Sequence, residues 1–193
     1  MHKITDKILR HLRSRQALKA AKDFLPTAQH ICDIGCDDNY FLRQLLKLSP
    51  KLNLLGIDPA ATHHHPSIKN IVGRFPEDLP SSETQHQYDL IFAIAVFEHF
   101  PEERLTDAIN TLTAMIAPQG RIILTVPQPA VDYIVNLLTL LHLIDDKAQA
   151  EHHHFDPARL PKLMANHFVL EKQQKFEWGL NNLLVFRPKL NDE

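Results

Sequence analysis

Glycine is scarce: the 193 residues include five, and each stands alone. That leaves no G-x-G-x-x-G run, the loop in which backbone comes close to a dinucleotide pyrophosphate. Cysteine is scarcer, with only Cys32 and Cys36. Four positions apart across a strand-to-loop junction, they suggest no disulfide framework, and a reducing cytoplasm is the expected location. Long hydrophobic runs are missing too. The most apolar stretch, Ala130 to Ile144, is broken by Asp132, Asn136 and His142. It is shorter than the ~20 residues that span a bilayer, so no stable membrane insertion is expected. The stretch MHKITDKILRHLRSRQ has no continuous apolar core and does not read as a secretory leader. A net charge of -2 gives the chain no dominant electrostatic footprint for nucleic acid. Two histidine triplets, His63 to His65 and His152 to His154, lack the cysteine-rich or HExxH spacing of metal sites. Adjacent side chains rarely all reach one ion, so no metal is expected.

What is present reads as one domain over residues 1–193. Residues 1–24 read as a basic amphipathic helix. Ile4, Ile8 and Leu12 fall on one side, and Lys3, Lys7, Arg10, Arg13 and Arg15 lie mostly elsewhere. The leading expectation is a helix packed on the domain edge. A lid over a site, or a membrane-surface or nucleic-acid contact, are the alternatives. Strand-like runs then alternate with helical ones. Strands are expected at 29–34, 52–57, 67–72, 88–95 and 121–126, and helices at 40–48 and 102–116. Pro101 introduces the second helix and Ala117-Pro118-Gln119-Gly120 forms a turn. Such alternation predicts an α/β fold with a mostly parallel sheet. Residues 168–176 and 183–186, joined through Trp178 to Asn182, predict an antiparallel hairpin at the sheet edge.

In open α/β sheets ligands bind beyond the carboxyl ends of the strands. Asp33-Ile34-Gly35 closes the first expected strand, Asp58 the second, and Glu98-His99 follows the buried 88–95 run. An acid placed like Asp58 can accept hydrogen bonds from both hydroxyls of a ribose. Asp37 and Asp38 stand where the next helix begins. They would repel phosphate and suit a cationic ligand group. Asn39 tolerates the left-handed conformation that a loop glycine would otherwise supply. A ligand with a ribose, a positive charge and no phosphate fits this loop better than a dinucleotide.

These segments together resemble class I S-adenosylmethionine-dependent methyltransferases. CDIGCDDNYFL resembles their first motif, commonly D-x-G-x-G-x-G. LLGIDPA resembles the second strand with its ribose acid, GRFPEDLP the adenine-lining stretch, YDLIFAIAVFEHFPEE the fourth-strand motif of small-molecule and quinone-biosynthesis members, and MIAPQGRIILTVP the L-x-P-G-G turn and fifth strand. The resemblance runs from about residue 28 to 128. It departs at Asp37, Asn39 and Gln119, where glycines are usual.

The resemblance implies a Rossmann-like methyltransferase fold, with a mostly parallel seven-stranded sheet, a C-terminal antiparallel hairpin and helices on both faces. It implies S-adenosylmethionine as cofactor and a small-molecule methyl acceptor. Gly35 would admit the methionine moiety, and Asp33 would orient its amino group. Cys36, Asp37 and Asn39 complete the loop. Asp58 would bind the ribose, Pro59 would border it, Phe75 would meet adenine and Ala93 would lie under the methionine end. Methyl transfer is an in-line displacement in which placement is most of the protein's task. A hydroxyl acceptor would also need a base. His99, Glu98 and one of the Glu151-to-His154 cluster, His153 standing for it, are the candidates. Residues 128–160 are the expected substrate cap. Their leucine-dense part, with Tyr133 and His142, reads either as a packed helix or as a wall for an apolar acceptor. Two rival readings stay open: a non-catalytic binding module with a decayed loop, and, with less support, an NAD(P)-dependent oxidoreductase. The accepting atom and the oligomeric state are not readable.

Overall fold

The computed structural model describes residues 2–61, 65–128 and 159–189. Helix α1 (His2–Ala21) is followed by β1 (His30–Ile34), α2 (Tyr40–Leu48), β2 (Asn53–Asp58) and β3 (Ile68–Val72). A short α3 (Ser81–Thr84), β4 (Tyr88–Ile94), a single 3-10 turn at Phe97–His99, α4 (Glu102–Met115) and β5 (Ile116–Pro127) come next. The chain then carries α5 (Leu160–Met164), β6 (Phe168–Phe176) and β7 (Asn181–Pro188). The seven strands form one sheet in the order β3-β2-β1-β4-β5-β7-β6. The first five pair in parallel, and β7 runs antiparallel between β5 and β6. The Rossmann-like sheet expected from the sequence is therefore present, with its hairpin.

The apolar strands are continuous because both sheet faces are covered. Leu90, Ile91, Phe92 and Ala93 of β4 have no exposed surface. On one face lie Leu105, Ile109, Leu112 and Met115, the helical-period stripe of α4, together with Leu160 and Met164 of α5. On the other lie Phe41, Leu42 and Leu45 of α2 with Ala17 and Ala21 of α1. Phe41 packs edge-on against Phe92 at 4.7 Å between ring centres.

Two expectations need correction. The buried face of α1 is Ser14, Ala17 and Ala21, while Ile8, assigned to the apolar side, is 54% exposed. Small side chains let the helix backbone approach β4, β5 and β7 closely, so size outweighs hydrophobicity here. Ala117 to Gly120 is not a separate turn before the fifth strand. It is an excursion within β5, whose pairing with β4 jumps from Tyr88–Ile116 to Leu90–Arg121. Gly120 sits in it because an added Cβ would lie 2.9 Å from the Tyr88 carbonyl oxygen.

The strand order reverses between β1 and β4, so loops leave the sheet in opposite directions there and open a crevice.

Candidate active site

A cavity of about 630 Å³ occupies that crevice. Its floor is Ile34 and Gly35 after β1, Ile57, Asp58 and Pro59 after β2, Gly73 to Phe75 after β3, and Ile94 to Val96 after β4. Gly35 has φ 76°, and a methyl group built on it would overlap Val96 Cγ2. Only glycine meets both conditions. Its N–H donates to the Ile57 carbonyl at 2.8 Å, which ties the loop to β2.

The two loop positions where glycine is usual keep glycine-like backbone. Asp37 has φ 46° and Asn39 φ 61°. Asp and Asn enter this left-handed region more readily than other non-glycine residues. Asp37 N–H donates to Asp58 Oδ2 at 3.1 Å, and Ala60 N–H to Asp58 Oδ1 at 2.7 Å. These bonds fix the Asp58 carboxylate at the cavity wall and leave each oxygen a lone pair for a ligand hydroxyl.

Asp33 lies at the inner end, 2% exposed. Burial, with the nearby Asp58 charge adding to it, pushes its carboxyl well above the usual carboxylate range. Its Oδ1 has no hydrogen-bond partner among the described residues. Asp33, Cys36 and Asp37 border a small recess that continues the cavity toward Ser14 and Tyr40. A buried carboxylate short of a donor calls for a cationic or N–H-bearing ligand group.

Phe75, Pro59, Asp37 and Gly35 thus line the space directly. Cys36 points beneath it, with its sulfur where a Cβ on Gly56 would come within 2.7 Å, and burial raises its thiol pKa. Asn39 is fully buried under the loop, and its N–H donates to the Cys36 carbonyl at 2.8 Å. Ala93 is enclosed within β4, paired with Ile34, and its successors Ile94 to Val96 reach the cavity instead.

His99 also lines the cavity, beyond β4. Its neighbour Glu98 is 4% exposed with Oε2 unpartnered among the described residues. Burial pushes the Glu98 carboxyl up to about 7, against a lowering by a hydrogen bond from its own backbone and, less, by the Arg13 charge. His153, with the whole Glu151-to-His154 cluster, Tyr133 and His142, lies outside the described residues, as do His63 and His64.

Sequence reasoning held a place for α1 over the site only as an alternative and named none of its residues there. Leu9, Arg10 and Arg13 border the cavity, as do Arg74, Phe100 and Arg104. Arg10 donates to Asp38 Oδ1 at 3.0 Å and Asp37 Oδ2 at 3.3 Å, and its guanidinium stands 4.5 Å over the Tyr40 ring. His11 Nδ1 is 2.9 Å from the Tyr40 hydroxyl. The acids that replace or flank loop glycines therefore hold α1 across the cofactor loop. The i, i+4 spacing of Leu9 and Arg13 was a usable signal that these two share a face.

The profile of a family described as methyltransferase domain matches residues 1–170. The chain belongs to that methyltransferase family. S-adenosylmethionine is accordingly its methyl donor. The methyltransferase fold recurs in solved structures. The N-methyltransferase NodS from Bradyrhizobium japonicum WM9, solved with S-adenosylhomocysteine, superposes with a TM-score of 0.68 at 16% identity, over 94% of this chain and 88% of that one. The plantazolicin methyltransferase BpumL, solved with a triazolic desmethylPZN analog and S-adenosylhomocysteine, gives 0.70 at 13% identity, over 92% and 83%. The PH0226 protein from Pyrococcus horikoshii OT3 gives 0.64 at 17% identity, over 91% of each chain. No curated protein sequence matches the chain.

The residues present fit the cofactor of this methyltransferase. Asp33 offers an orphaned buried acceptor for an ammonium group, Asp58 a held carboxylate for a ribose, and Phe75 an apolar wall for a base. No helix among the described residues is long and apolar enough to cross a membrane.

Proposed function

We propose that the protein transfers the methyl group of S-adenosylmethionine to a small-molecule acceptor that enters beside His99. The observation that carries this reading is the buried, under-satisfied Asp33 in the small recess beside a cavity whose wall holds Asp58. Bound there, the cofactor supplies an electrophilic methyl group on a sulfonium. Asp33 holds the ammonium, Gly35 admits the methionine backbone and Asp58 accepts from both ribose hydroxyls. Phe75 and Pro59 enclose the nucleoside. Arg13, a cation on the cavity wall, balances the methionine carboxylate. A cofactor held by these residues would present its methyl carbon to an acceptor entering beside His99, and alignment of that kind contributes ~7–11 kcal/mol to a displacement.

For an oxygen or nitrogen acceptor, the proton leaves to His99. Glu98, poised near neutrality behind it, is the second candidate base. The left-handed backbone at Asp37 and Asn39 supports a loop that keeps its glycine geometry, which weakens the case for a decayed, binding-only site. The acids at Asp37 and Asp38 weigh against a nicotinamide dinucleotide.

Parallel calorimetric titration with S-adenosylmethionine, S-adenosylhomocysteine and NAD tests the site. Micromolar binding of the first two and none of NAD is expected. Transfer of labelled methyl from the bound cofactor to members of an acceptor panel then tests turnover. Tight binding of NAD alone would overturn the assignment of roles.

A further inference from the structure

The edge that carries the cofactor loops continues past them. Phe75 follows β3, Asp58 ends β2, Gly35 follows β1 and Ala95 follows β4. With the assigned roles, adenine, ribose and methionine run along that edge in this order. The next positions along it belong to β5 and β7, where Pro127 pairs with Asn181. The turn Glu177–Leu180 therefore stands just past the methionine end, where an acceptor must approach the methyl group.

That turn is unusual. Glu177, Trp178 and Gly179 have φ values of 51°, 55° and 86°. Two consecutive non-glycine residues in the left-handed region cost conformational energy, and such geometry persists where surroundings over-determine it. Here they do. The Asn181 amide donates to the Glu177 carboxylate, Leu180 N–H to the Glu177 carbonyl at 3.0 Å, and Gln128 N–H to the Leu180 carbonyl at 2.7 Å. Arg13, on the cavity wall, approaches Glu177 Oε2 at 4.0 Å, so the turn is joined to the cavity. The side chain held out by this arrangement is the single tryptophan of the chain, 95% exposed. Among the described residues no packing role explains it. Leu9, one helical turn before Arg13, gives the same rim of the cavity an apolar contact.

Resting on the methyltransferase reading above, we propose that Trp178 is an acceptor-recognition residue, a stacking platform for an acceptor with a flat aromatic or conjugated ring. A planar apolar face on the turn beside the cavity favours planar partners over puckered ones of equal hydrophobicity.

The test uses the full chain saturated with S-adenosylhomocysteine, with 2-naphthol as flat probe and cyclohexanol as puckered control. Calorimetry should show 2-naphthol bound more tightly than cyclohexanol. Trp178→Ala should weaken the naphthol about tenfold, Trp178→Phe should restore most of that, and neither should change S-adenosylhomocysteine affinity. Iodide quenching of the lone tryptophan should be unaltered by S-adenosylhomocysteine and reduced when a flat acceptor follows. Equal naphthol affinity in Trp178→Ala, no naphthol binding by the native chain, or shielding of Trp178 by the cofactor product alone would each overturn the proposal. Failure of S-adenosylhomocysteine to bind at all would instead sink the reading beneath it, and the first titration reports that separately.

Discussion

Replacing Glu98 with glutamine should make the protein more stable at alkaline pH and leave it nearly unchanged in acid. The carboxyl is 4% exposed, and its pKa is raised by burial from 4.5 to about 7. The folded state therefore holds a proton that the unfolded state releases. Between those two pH values stability falls as pH rises, because the native state binds more protons. The interval, at ~1.36 kcal/mol per pH unit, amounts to about 3 kcal/mol. Native protein thus bears almost none of this cost at pH 4 and nearly all of it at pH 8. Glutamine mimics the protonated acid at every pH. Urea denaturation of native and Glu98→Gln protein should therefore give curves that coincide near pH 4 and separate by ~3 kcal/mol at pH 8, with the variant more stable. Parallel pH dependences for the two proteins would refute the reasoning. They would mean that the backbone hydrogen bond and Arg13 together stabilise the ionised form enough to cancel burial.

Asp58→Ala should weaken S-adenosylhomocysteine by roughly 1.5–3 kcal/mol, the scale of hydrogen bonds to a charged group, and calorimetry reads it directly. Gly35→Ala combines a φ of 76° with overlap on Val96, so a loss of at least ~2 kcal/mol in denaturation is expected, with cofactor binding abolished. Arg10→Ala removes ion pairs to Asp37 and Asp38 that are partly solvated, so global stability should change by less than ~1 kcal/mol. Dissociation of S-adenosylhomocysteine, measured by stopped flow, should nonetheless quicken and lose its salt dependence. Because Asp33 is held above the usual range, binding an ammonium beside it should release protons. The binding heat near neutral pH should then vary with the ionisation enthalpy of the buffer.

Much of the sheet was legible because parallel strands covered on both faces leave uninterrupted apolar runs. The 88–95 and 121–126 segments are such runs, and the structure sets them side by side. Gly35 and Asp58 were legible for another reason: strand ends concentrate ligand contacts, and few residue types serve there. Ile8 misled because helical periodicity reports hydrophobicity, whereas the docking of α1 is decided by the small size of Ser14, Ala17 and Ala21. Arg74 and Arg104 were invisible as cavity residues. They reach it from a loop and a helix whose approach depends on tertiary packing alone. The excursion at Ala117 to Gly120 read as a turn because proline and glycine mark a break in extended chain without saying whether the strand resumes pairing with its neighbour.

Helix α1 packs on a surface shared with Leu183 and Val185 of β7, the strand most remote from it in sequence. Leu90 and Phe92 of β4 and Ile123 of β5 complete that surface, so the seat of α1 is built from strands far apart in sequence. The wall that Leu9, Arg10 and Arg13 give the cavity thus ties one end of the described chain to a strand at the other. A change in β7 that leaves every floor residue of the cavity in place can therefore still shift the α1 wall.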